Sequence, residues 1–99
     1  MKKIDELSFP SSCLNKAKDD EFIFVLLERD RAAPYALKQW VEQRIKMGLN
    51  KEEDGEILET LQWIDHCMSH NDIRDRKLSD FVDDIRQRAT INLNKNRLF

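Results

Sequence analysis

The sequence predicts an all-α protein, a compact bundle of three to four short helices in a single domain of 99 residues. Three observations carry this. Two glycines and two prolines leave few of the tight turns that a β-sheet protein needs. Apolar residues recur at spacings of three and four along three separate stretches. Capping residues stand ahead of those stretches, and Gly48 follows one of them. The composition, 40% apolar and 36% charged, is that of a globular chain with a heavily charged surface rather than a disordered one. A core of this size is modest, so self-association is expected, and the reading includes a homo-oligomer.

Residues 1–12 show no sustained period and contain Pro10-Ser11-Ser12, so they read as an N-terminal arm with Leu7 and Phe9 as anchors. In an oligomer such an arm can cross to a neighbour. Cys13 and Leu14 begin a short turn. The stretch from Asp19 to Trp40 then holds the densest apolar run, Phe22 to Leu27, and reads as the segment around which the chain packs. Six consecutive apolar residues suit a buried helix or a buried strand, and periodicity does not separate the two. A helix over 20–29, capped by Asp19 or Asp20, is preferred because its start is acidic and no partner strand is evident.

Pro34 disfavours helical geometry at Ala33, which puts a break near 30–33 and makes Asp30 a cap for a helix over 33–47. Leu37, Trp40, Val41, the stem of Arg44 and Ile45 form its buried face, and Gly48 is its left-handed stop. Asn50 and Glu53 resemble a capping box for a third helix running to about Ser69. Its stripe is Ile57, Leu61, Ile64 and Met68, widened by Leu58, with Trp63 and Cys67 as a lateral edge. His70-Asn71-Asp72 is a break. Residues 71–99 read as a C-terminal extension with a fourth helix, capped by Ser79 and striped by Phe81, Val82, Ile85, Ala89 and Leu93.

A net charge of −2 argues against extended nucleic acid or an anionic membrane as partner. No apolar stretch approaches the roughly 20 residues of a membrane span. Met1-Lys2-Lys3 leads into Ile4-Asp5-Glu6-Leu7, which is not the apolar region of a signal peptide. Two cysteines, Cys13 and Cys67, are too few for a disulfide framework, and a cytoplasmic location is expected.

The sharpest chemical constellation is Asp65 to Asp72. His66 and His70 lie four apart, so both rings can reach one metal, with Asp72, Asp65 or Cys13 as a third ligand. Against this, two histidines at a helix C-terminus are favoured by its dipole alone, and no metal or cofactor is assigned. Cys67 and His66 diverge by about 100° on a helix, and the sequence has no glycine-rich oxyanion or phosphate loop, so no catalytic residue is assigned. The carboxylates of residues 52–59 read as a solvated helix start. The candidate ligand-binding residues are Arg29, Arg31, Tyr35 and Trp40, because guanidinium groups beside aromatic faces hold phosphate and base together. Against this, a charged inter-helix turn accounts for Arg29 and Arg31 taken singly.

The motif Cys13-Leu14 … Asp20-Glu21 … Phe24-Val25-Leu26 … Asp30 … Ala33-Pro34 … Trp40 resembles a group of small bacteriophage and prophage proteins. The resemblance spans roughly residues 8–70, with Phe22 standing where the group carries proline. It implies a phage-type protein and attaches no activity to it. The function expected is non-enzymatic binding with a counter-defence or host-takeover role. One form is an oligomer that sequesters a nucleotide-type ligand at Arg29, Arg31, Tyr35 and Trp40. The other is a module that docks on a host protein through Trp63 and Cys67, or through Leu98 and Phe99.

Overall fold

The structure, a computed structural model, describes residues 2–97 and is all-helical. Five helices follow in order: α1 (Lys3–Ser8), α2 (Cys13–Lys16), α3 (Ala33–Lys46), α4 (Gly55–His70) and α5 (Arg76–Arg97). No strand occurs among the described residues.

α3, α4 and α5 form the compact bundle. Val41, Ile57, Leu61, Ile64, Met68, Leu78, Val82 and Ile85 make its core, and Leu37, Leu58, Ile45, Ile73 and Phe81 pack around them. The stripes read from the sequence for α3 and α4 are therefore the buried faces. On α5 the stripe holds through Ala89, but Leu93 is exposed because the last turns run past the end of the core. Trp40 lies at the margin of the α3 face, about one-third exposed.

Local chemistry explains the helix ends. Pro34 lies in the first turn of α3, where its missing N–H would have had no helical partner anyway. Gly48, at φ +73°, closes α3: the Leu49 amide bonds to the Arg44 carbonyl at 2.9 Å and the Gly48 amide to that of Ile45 at 3.0 Å. α4 ends by the same device without a glycine. Asp72 takes φ +51°, and the Ile73 amide bonds to the Met68 carbonyl at 2.8 Å.

Two caps differ from expectation. Asn50 and Glu53 form no capping box. Asn50 instead bridges Arg44 Nε and Asp54 Oδ2, and α4 starts at Gly55. α5 starts at Arg76 rather than at Ser79, because Asp75 Oδ1 accepts from the Leu78 amide at 3.2 Å. Leu78, which a cap at Ser79 would leave outside the helix, is in the core.

The N-terminal third differs most. The expected helix over 20–29 is absent: Phe22 to Leu27 run as extended chain with neither helix nor strand. They do not organise the core. Phe22 is fully exposed, Phe24 is 86% exposed, and only Leu26 is half-buried. The residues ahead of them are ordered instead into α1 and α2, which among the helices of the described residues pack only on each other. That pair is fixed by polar bonds. Ser12 is buried and donates to the Glu6 carbonyl, and Asn15 Nδ2 reaches the carbonyls of Glu6, Leu7 and Phe9. With this third standing off the bundle, the radius of gyration is 15.0 Å, against about 13 Å for a compact domain of this length.

Candidate functional site

The turn that follows the exposed run is tightly built. The Asp30 amide bonds to the Leu27 carbonyl at 3.0 Å, and Asp30 Oδ1 accepts from the Ala32 amide at 2.8 Å. Asp30 thus orders the entry to α3, as its position suggested, although its side chain makes an Asx-type turn rather than a helix cap.

Asn71 ties this turn to the C-terminal end of α4. Its Nδ2 donates to the Glu28 carbonyl at 2.7 Å and to the Cys67 carbonyl at 2.8 Å. Its own carbonyl accepts from Arg31 Nη1 at 2.7 Å. A guanidinium at this position also meets the negative end of the helix dipole.

Tyr35 joins the starts of α3 and α5. Its hydroxyl donates to Asp75 Oδ2 at 2.9 Å, while the other oxygen of that carboxylate caps α5. The bond to Asp75 raises the Tyr35 phenol above its ordinary pKa, partly countered by the nearby Arg31 charge. The same bond, with the cap to Leu78, lowers the Asp75 carboxyl.

Arg31 and Tyr35 therefore sit together where α3 begins, α4 ends and α5 begins. Arg29 lies two residues away on the same turn and lines a shallow depression with Leu27, Glu28 and His70. Its side chain makes no hydrogen bond or ion pair among the described residues. Trp40 does not join them on this chain. Five residues beyond Tyr35 it is about 140° around the helix and roughly 7.5 Å along it, and Arg44 stacks over its ring at 5.5 Å.

The histidine pair acquires a third neighbour that its spacing alone did not reveal. His66 Nε2 lies 2.6 Å from Glu28 Oε2, and the rings of His66 and His70 stack at 6.1 Å with 18° between their planes. Hydrogen bonding to His66 is the chief cause of the lowered Glu28 pKa. The three residues considered as third ligands are elsewhere. Asp65 pairs with Arg86 at 2.8 Å, Asp72 with Arg74 at 3.5 Å, and Cys13 is exposed on α2. Cys67 faces inward and is only 5% exposed, and burial raises its thiol pKa. The Trp63–Cys67 edge is therefore half covered by the bundle. Leu98 and Phe99 lie outside the described residues.

No protein-family model matches the chain, and neither a curated protein nor a solved structure matches it significantly. Among the described residues, no helix is long and apolar enough to cross a membrane.

Proposed function

We propose that the chain is a non-enzymatic binding protein that works as a homo-oligomer and sequesters a small phosphate-bearing ligand of nucleotide type. The observation that carries this reading is the join between Phe22–Leu27 and the turn that holds Arg29 and Arg31 ahead of Tyr35 on α3. An apolar run this exposed needs cover. Among the helices of the described residues, the α1–α2 pair packs on none of the bundle helices, which leaves its outer face open to a second copy. Burying the run against another copy brings the arginine turn to the seam. There two guanidinium groups supply donors for phosphate, and the Tyr35 ring, its hydroxyl held by Asp75, supplies a face for a base. Trp40 enters such a pocket as a residue of the neighbouring copy.

Light scattering and native mass spectrometry test the assembly. Titration with nucleoside mono-, di- and triphosphates and dinucleotides tests the ligand. The reading expects an oligomer that becomes monomeric in the Phe22→Asp/Phe24→Asp variant. It also expects binding that weakens with salt and is lost in Arg29→Ala and in Arg31→Ala, with helicity retained. Full affinity in both arginine variants would overturn it.

A second reading rests on the backbone of the same run. The amides and carbonyls of Phe22 to Leu26 make no hydrogen bond among the described residues, so the segment is free to add as a strand to a sheet edge on another protein. Phage origin, suggested by the resemblance above, makes that protein one of the host. A photo-crosslinker at position 24 separates the two readings, because self-crosslinks support the oligomer and crosslinks to a single host protein support docking.

A further inference from the structure

We propose that Glu28, His66 and His70 form a binding site for one divalent transition-metal ion of the zinc type, and that the ion clips the turn after the exposed run to α4. The donor atoms of the three side chains lie within 4.8 Å of one another. Ligand atoms around one tetrahedral zinc lie about 3.4 Å apart, given bond lengths near 2.1 Å. Closing the set requires small rotations of three exposed side chains and the replacement of the Glu28–His66 hydrogen bond by two metal bonds.

Two features prepare the site. The histidines are one helical turn apart on α4 with near-parallel rings, so both ring edges serve the same point beside the helix. Glu28 is delivered by its backbone, since the Asn71 side chain holds its carbonyl at 2.7 Å whether or not the carboxylate meets His66. Two imidazoles and one carboxylate suit zinc and its first-row neighbours rather than calcium or magnesium. Arg29 lines the same depression as Glu28 and His70, and its positive charge suits an anionic or water ligand as the fourth group on the ion. Binding of the metal alone does not depend on the nucleotide reading.

The experiment uses untagged full-length protein carrying Cys13→Ser, which removes the exposed thiol as a competing ligand. Zinc is titrated by calorimetry, and cobalt substitution is followed by visible absorption. One ion per chain is expected, with cobalt bands of a nitrogen–oxygen site. His66→Ala, His70→Ala and Glu28→Gln each remove a ligand and should weaken zinc binding by at least the roughly 10–100-fold that loss of an outer-shell partner costs. Zinc should also slow proteolysis within residues 18–27 of the parent protein and not of the His70→Ala variant. No binding by the parent, or equal binding by a His66→Ala/His70→Ala double variant that keeps its helicity, would overturn the assignment.

Discussion

Arg31 Nη1 donates to the carbonyl oxygen of Asn71 at 2.7 Å, joining residues 40 positions apart at the point where the N-terminal third meets the bundle. The same asparagine donates back to the Glu28 carbonyl. One side chain and one backbone carbonyl of residue 71 therefore hold both ends of the turn that carries the candidate phosphate-binding arginine residues.

Replacing Asn71 by Ala removes the side-chain half of this clasp and leaves the Arg31 acceptor in place. Amide hydrogen exchange should rise at Asp30, Ala32 and Ala33, the hydrogen-bonded amides of the turn, and stay unchanged at Ile57, Leu61 and Ile64 in the core. Equal protection of the turn in the variant would mean that the clasp is not what holds it.

The Phe22→Asp/Phe24→Asp variant should keep the thermal stability of the bundle, because neither side chain touches the core. Leu61→Ala, fully buried, should lower stability by about 2–5 kcal/mol. Urea unfolding of the two variants at concentrations that keep both monomeric checks the contrast.

The Tyr35–Asp75 bond gives a pH window. Asp75 has a lowered folded pKa, so its contribution is present above the unfolded carboxylate value and is lost as pH falls through the folded one. Tyr35 has a raised folded pKa, so its contribution is present below the unfolded phenol value and is lost as pH rises through the folded one. Asp75→Asn, which keeps a cap for α5, should flatten the acid side of the melting-temperature profile. Tyr35→Phe should flatten the alkaline side. Unchanged slopes in both variants would show that the bond contributes nothing to stability.

The two left-handed helix stops should respond in opposite directions. Gly48→Ala meets open space, so its cost is backbone strain at φ +73°, roughly 1 kcal/mol. Asp72→Gly relieves the same strain at φ +51° and should stabilise by up to roughly 1 kcal/mol. Melting curves of the two single variants decide the signs.

The bundle was legible because α3 and α4 bury faces that repeat every three or four residues, and Gly48 marks a stop by its chemistry. The run Phe22–Leu27 was misleading for a physical reason. Apolar density reports a demand for burial, and it does not say whether this chain supplies the cover. α1 has six residues, too few for a period, and its hydrogen bonds come from Ser12 and Asn15, the cap and a residue of α2. The start of α5 was misplaced because Ser79 has the chemistry of a cap, whereas Asp75 is the residue that caps the helix. Of the candidate site, Arg29, Arg31 and Tyr35 were close in sequence and stay close in space. The meeting of Glu28 with His66 joins positions 38 apart and left no local signal.

The exposed run is also bracketed by charge, Lys18-Asp19-Asp20-Glu21 before it and Glu28-Arg29-Asp30-Arg31 after it. During synthesis the run leaves the ribosome before any of α3, α4 or α5 exists. A bare six-residue apolar segment is the kind that nucleates cross-β fibrils. Flanking charges act as gatekeepers, since stacking many copies in register would stack like charges at both ends. The charged brackets thus oppose in-register stacking of the run while the rest of the chain is still being made.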